Sequence, residues 1–314
     1  MASLFLLCDL AHAFYIHAGV FMHAPADVVS FMRIAFYESI PPKACYQPKE
    51  LPIDRPLHAY ANDPPITNTG DLLARIIAKG IYSTSYVPDL IYSSPALRCL
   101  QTAKAVRSIC DCQAHIRCSS LMLSVPGAVR FFTDELACRI SEGRTGGATY
   151  PFSFISYNRR VEPGLFENLS MYPNGLPQFA TPEQRAQFNV DERYRPHMSI
   201  SDLRRNLHET AADYNSRLRN TLLRIAKMHE VVGHASTVDL AAGHLAKSSR
   251  KSTEHDLTWS YRKIPVGSTL VLERVQGRRG WTPNLYAIPP VTYTGLSNQF
   301  SAPFVLRDAP VVKE

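Results

Sequence analysis

Apolar and polar positions alternate in two clear units along the chain, each a short strand followed by a turn and a helix. Leu90-Ile91-Tyr92 is a brief apolar run of β type that stops at Ser93-Ser94-Pro95. Serine followed by proline in a first turn is a helix start, and Leu97, Leu100, Ala103 and Val106 then fall on one face of a helix predicted over 96–110. The second unit has Glu230-Val231-Val232-Gly233 as its strand and His234 at its end. Ser236 and Thr237 offer an N-cap for a helix through Asp239, Leu240 and Leu245. Ahead of each unit lies another predicted helix. One is around 71–79, with Leu72, Leu73, Ile76 and Ile77 in phase; the other runs over 203–228, with Leu207, Tyr214, Leu218, Leu222 and Ile225 in phase. Residues 41–67 are rich in proline and read as a long connection. Two strand-turn-helix units, each with a cationic or potentially cationic residue at its turn, predict an open α/β sheet with its site at the carboxyl ends of the strands.

The chain's start is apolar, with Leu4-Phe5-Leu6-Leu7 leading to Ala11-His12-Ala13, loosely the layout of a signal cleavage site. No lysine or arginine precedes the run and Asp9 interrupts it, so a buried strand or a misassigned start is the simpler expectation. With Asp9, His12 and His17 inside residues 4–22, a membrane span is not predicted.

Composition adds three limits. The 314 residues are 45% hydrophobic and 19% charged, with a mean hydropathy of -0.14, which excludes collagen-like, coiled-coil and wholly disordered chains. A net charge of +7 and a pI near 9.0 favour anionic partners. The basic residues are thinly spread, however, and lack the aromatic interleaving of a nucleic-acid surface, so no nucleic-acid partner is expected. Seven cysteines with no C-x-x-C pair indicate neither a disulfide framework nor a zinc site, and point to a reducing, cytoplasmic setting.

Six motifs occur in one order: Asn62-Asp63-Pro64-Pro65-Ile66-Thr67 through Gly70, Ser93-Ser94-Pro95-Ala96-Leu97-Arg98-Cys99 through Ala103, Val161-Glu162-Pro163-Gly164-Leu165-Phe166-Glu167, Tyr194-Arg195-Pro196, Val231-Val232-Gly233-His234-Ala235-Ser236, and Arg262-Lys263-Ile264-Pro265. They resemble the histidine phosphatase superfamily, and more narrowly the phosphatase domain of the ubiquitin-associated and SH3 domain-containing proteins. The resemblance runs from about residue 31 to the C-terminus, except for one segment, and implies a single three-layer, phosphoglycerate-mutase-like domain over 1–314, mainly parallel in its sheet with helices on both faces. It also implies hydrolysis of a phosphate monoester through a phosphohistidine, with no metal and no organic cofactor. The implied partner is a phosphorylated protein, a small phosphoester or another bulky phosphoester; no membrane is involved, and a homodimer stays open.

The chemistry of the residues fits that implication. Phosphoryl transfer needs an in-line nucleophile, cations around the equatorial oxygens and an acid for the leaving group. Arg98 matches the family's phosphate-binding arginine, whose planar fork binds two oxygens at once. His234 matches the second histidine, at a strand end before a helix whose first amides favour an anion. Glu167 matches the proton donor, and Glu162, five residues earlier, competes for that role.

Two departures stand out. No Arg-His dipeptide occurs anywhere in the chain, although the family's nucleophile sits in an Arg-His-Gly motif after the first strand. The nearest window, Val20 to Ala26, keeps an apolar lead-in and His23 but places Met22 and Ala26 where the family has arginines. His23 is therefore the candidate nucleophile, with His12, His17 and His58 as lesser candidates and unrelated sequence in place of the motif as the alternative; residues 1–30 form an atypical N-terminus. Residues 118–160 match nothing in the family. Joining Ala114-His115-Ile116-Arg117 to Val161-Glu162 would restore a continuous strand, so this insertion reads as translated intron sequence looping out of the core. An impaired enzyme and an inactive phosphate-binding or protein-interaction module are both consistent with these departures.

Overall fold

The computed structural model describes residues 2–8, 51–60, 62–83, 91–122, 159–172, 175–191, 193–225, 230–245, 252–274, 281–293 and 296–307. Six strands, β1 (Ala2–Cys8), β2 (Ile91–Ser93), β3 (Arg159–Val161), β4 (Glu230–Gly233), β5 (Thr269–Arg274) and β6 (Thr282–Asn284), form one sheet in the order β3-β2-β4-β1-β5-β6. The β3, β2, β4 and β1 neighbours pair in parallel, while β5 and β6 run antiparallel at the other edge. The longer helices are α1 (Asn68–Ser83), α2 (Leu97–Met122), α3 (Ile200–Arg205), α4 (Ala211–Ile225), α5 (Ala235–Leu245) and α6 (Glu254–Lys263). Among the described residues no helix is long and apolar enough to cross a membrane.

Period-two alternation along the strands sorts the core into two layers. In β2, Ile91 joins the layer that holds Leu73, Ile77 and Val106 of α1 and α2. Its neighbour Tyr92 joins the layer of Leu218, Leu222 and Leu240 from α4 and α5. In β5, Val271 faces the first layer, and Leu270 and Leu272 face the second. The fold is thus the expected three-layer arrangement, a largely parallel sheet with helices on both faces.

Several local expectations are corrected. The helix predicted over 203–228 is broken into α3 and α4. Asn206 caps the end of α3, and Thr210 and Asp213 exchange hydrogen bonds at the start of α4. A Thr-x-x-Asp capping box in mid-pattern starts a new helix despite the continuous apolar phase. Ser236 and Thr237 do not cap α5 from outside; the helix begins at Ala235, and Thr237 Oγ1 instead accepts the backbone N–H of His234 at 3.1 Å. Helix α2 continues past residue 110 to Met122, so 114–117, expected to extend a strand, is helical; no glycine or proline interrupts 97–122 to stop it. Of the proposed insertion, 118–122 lie in α2, 159–160 lie in β3, and 123–158 lie outside the described residues. The apolar start of the chain is a strand, β1, in the centre of the sheet.

Candidate active site

Because β2, β3 and β4 are parallel and adjacent, the residues that follow each strand emerge at the same edge of the sheet. Ser94 follows β2, Glu162 to Glu167 follow β3 and His234 follows β4. Arg98 comes from the first turn of α2, which Asp63 sets in place. The Asp63 carboxylate accepts the Leu97 N–H at 2.7 Å and is paired with Arg55 at 3.1 Å. Asp63 is fully buried, and burial raises its pKa above the ordinary aspartate range despite the Arg55 and Arg98 charges. The Asn62-to-Thr67 motif therefore acts as a remote cap for the helix that carries Arg98.

Arg98, Glu167 and His234 converge there, each at most 3% exposed. The Arg98 guanidinium donates to Glu167 Oε1 and lies 3.3 Å from His234 Nδ1, while Glu167 Oε2 lies 3.8 Å from that same nitrogen. Tyr172 donates to the same Glu167 Oε1. Burial, then the neighbouring Glu167 charge, holds the Tyr172 phenol well above the usual tyrosine range, so it is a neutral donor at physiological pH. The His234 ring is fixed at its far nitrogen by Ser94 Oγ, 2.9 Å from Nε2, with the buried Cys99 Sγ at 3.9 Å from Nε2. The edge-on Phe166 ring packs on His234 at 5.7 Å, and Phe179 and Tyr172 pack on Phe166.

Glu162 is placed differently from Glu167. Its buried carboxylate accepts from Tyr194 OH at 2.6 Å, from the backbone N–H of His197 and Met198 at 2.8 and 3.2 Å, and from Gly164 N–H at 3.2 Å. It ties the Tyr194-Arg195-Pro196 motif to the sheet edge, and Glu167 is the carboxylate that reaches Arg98 and His234.

Arg217, on α4, was not singled out in the sequence. It pairs with Glu209 through Nε at 2.6 Å and a terminal nitrogen at 2.7 Å. It also donates to the carbonyls of Gly164, Phe166 and Glu167 at 3.0, 2.9 and 3.2 Å. One buried guanidinium thus pins the backbone of the loop that presents Glu167. The loop packs so close to α4 that a Cβ on Gly164 would overlap Thr221.

His23 lies outside the described residues, as do His12, His17, Met22 and Ala26. The strand beside β4 is Ala2–Cys8, with Cys8 in register with Gly233, rather than the Val20-Phe21 lead-in to His23. The residues directly following it in sequence are Asp9-Leu10-Ala11-His12. His58 lies in a short 3₁₀ turn, Leu57–Tyr60, and is exposed. Among the described residues no cluster of three His, Cys, Asp or Glu side chains is arranged to hold a metal ion.

No family model matches the chain. It is similar to an ecdysteroid-phosphate phosphatase of Drosophila melanogaster, 27% identical over 239 residues, which is 73% of this chain and 26% of that protein. It is also similar to the ubiquitin-associated and SH3 domain-containing protein B of Homo sapiens, 26% identical over 216 residues, covering 66% of this chain and 26% of that protein. The chain therefore spans about a quarter of the length of these curated relatives. Among solved structures, an ecdysone phosphate phosphatase from Bombix mori in complex with tungstate shares the fold, with a TM-score of 0.58 and 19% identity over 94% of this chain and 96% of that one.

Proposed function

We propose that this chain, which resembles the histidine phosphatase superfamily in sequence and has its fold, binds a phosphate monoester at the Arg98, Glu167 and His234 cluster and hydrolyses it. The observation that supports this reading is the convergence of a guanidinium, a carboxylate and an imidazole at one edge of a parallel sheet. Arg98 and His234 hold the phosphoryl oxygens; a phosphoryl group drawn to Arg98 competes with Glu167 for that guanidinium and frees the carboxyl for proton transfer. Glu167, with one oxygen still held by Tyr172, then delivers a proton to the leaving oxygen from the other. As the family resemblance implies, the leaving group is a bulky or aryl one, as in a phosphotyrosine protein or a comparable phosphoester.

His23 is the proposed nucleophile. Attack of its ring nitrogen on phosphorus breaks the P–O bond to the leaving group and forms a phosphohistidine, which water then hydrolyses. The second reading, an inactive phosphate-binding module, is favoured by one specific observation: the chain contains no Arg-His pair. Each lost charge-assisted contact on the transition state costs about 2.7–4 kcal/mol, or roughly 10²–10³ in rate, so Met22 and Ala26 in place of two arginines leave a slow enzyme at best. The test is a p-nitrophenyl phosphate assay on the chain, on its His23→Ala variant, on Met22→Arg with Ala26→Arg, and on His23→Ala and His12→Ala in that doubly substituted background. Impaired catalysis through His23 requires a feeble rate, raised by the double substitution and abolished by His23→Ala. Strong activity in the unsubstituted chain that survives His23→Ala contradicts both the register and the impairment. If His12→Ala is the variant that abolishes it, the nucleophile follows β1 directly.

A further inference from the structure

We propose that Ser94 is a positioning residue that fixes the tautomer of His234, so that Nδ1 is the nitrogen presented to a bound phosphoryl group. The proposal rests on the phosphate-site reading above and assigns a role that residue matching leaves blank.

The argument begins with what each neighbour can do. An arginine side chain is a donor only. At 3.3 Å, the Arg98 nitrogen facing His234 Nδ1 makes a hydrogen bond only if Nδ1 offers a lone pair. The hydrogen of the neutral ring then belongs on Nε2, where Ser94 Oγ stands 2.9 Å away and can accept it. The other neighbours among the described residues are compatible with this assignment. Cys99 Sγ, 3.9 Å from Nε2, is a weak acceptor as well as a weak donor; Phe166 meets the ring edge-on; Thr237 Oγ1 takes the backbone N–H rather than the ring. Glu167 Oε2, 3.8 Å from Nδ1, attracts a proton to that nitrogen when the ring takes up a second one. Ser94 itself is held by its place between β2 and α2, where its N–H donates to the Val232 carbonyl at 3.0 Å. It is therefore a buried, backbone-anchored acceptor aimed at one ring nitrogen.

The consequence concerns phosphate. With Nε2–H committed to Ser94, the proton the ring gains to hold a dianion enters at Nδ1, on the side of Arg98 and Glu167. Without Ser94 the ring loses that constraint, and either nitrogen can carry the hydrogen.

Nitrogen NMR of histidine-labelled full-length chain reads the tautomer directly, with the His234 signals identified by their loss in His234→Gln. The unsubstituted chain is expected to show Nε2–H in the neutral ring, Ser94→Ala to lose that preference, and Ser94→Thr, which keeps a hydroxyl, to restore it. Orthovanadate affinity should fall roughly tenfold in Ser94→Ala, the scale of one hydrogen bond, and recover in Ser94→Thr. A neutral ring protonated at Nδ1 in the unsubstituted chain, or a spectrum unchanged by Ser94→Ala, overturns the proposal. If orthovanadate does not bind the unsubstituted chain, the phosphate-site reading fails while the tautomer comparison still decides the role of Ser94. Should Ser94→Ala not fold, the spectrum of the unsubstituted chain remains decisive.

Discussion

Replacing Arg217 with methionine tests how the Glu167 loop is held. The substitution keeps much of the side chain's volume but removes a guanidinium that is 4% exposed and paired with a Glu209 carboxylate that is 3% exposed. It also strips the carbonyls of Gly164, Phe166 and Glu167 of their donors. Breaking a buried pair by removing one partner costs about 3–5 kcal/mol, because the surviving charge is left without compensation. Water reaching the three carbonyls offsets part of their loss. At roughly 2–4 °C per kcal/mol for a chain of this order of size, Arg217→Met should lower Tm by on the order of 10 °C. The double variant Arg217→Met with Glu209→Gln removes the stranded charge but leaves the carbonyls unpaired, so it should recover part of that loss and not all. Urea unfolding followed by circular dichroism measures both. A loss below about 1 kcal/mol for the single variant, or no recovery in the double, would refute the view that this ion pair anchors the loop.

Two further outcomes are expected. Asp202 and Asp213 are held below the ordinary aspartate value of 3.8 by hydrogen bonds from Ser199 and Thr210; in Asp256, burial acts upward, but hydrogen bonds from Thr253 and the Arg307 charge bring it below as well. Groups depressed on folding stabilise the protein above that value and lose their contribution as pH falls through their folded values, so Tm should drop below about pH 4. The Asp202→Asn, Asp213→Asn, Asp256→Asn variant, with the oppositely acting Asp63 left intact, should show a flatter acid limb; parallel limbs would contradict the capping assignment. Excising residues 118–160 and joining Arg117 to Val161 should leave a cooperatively folding protein, although it removes Arg159 and Arg160 from their places beside Ile91 and Tyr92. Loss of the cooperative transition on thermal unfolding would show that the segment is structural.

The strand-turn-helix units were legible because two short signals agreed in each: an apolar run of β length and cap chemistry just after it. Arg98 and His234 were legible for the same reason, since a turn after a parallel strand is where such a fold places its chemistry. Arg217 carried no such signal. It sits in the middle of a helix among Ser216, Arg219 and Asn220, and its burial depends on Glu209 eight positions away and on carbonyls some fifty residues upstream. The break between α3 and α4 was hidden because the apolar phase runs through it, and only the Thr210-x-x-Asp213 pair marks the restart. Tyr172 could not be found from its sequence neighbours either, since its role is defined by reaching the same Glu167 oxygen as Arg98.

A calorimetric titration with orthovanadate, a phosphate-like oxyanion, tests the central claim most directly because it does not require turnover. The unsubstituted chain should bind one equivalent, and Arg98→Ala should weaken that binding by roughly ten- to a hundredfold, the worth of a hydrogen bond to a charged group. Absence of binding, or binding that Arg98→Ala and His234→Gln both leave unchanged, would contradict the assignment of this cluster as a phosphate site.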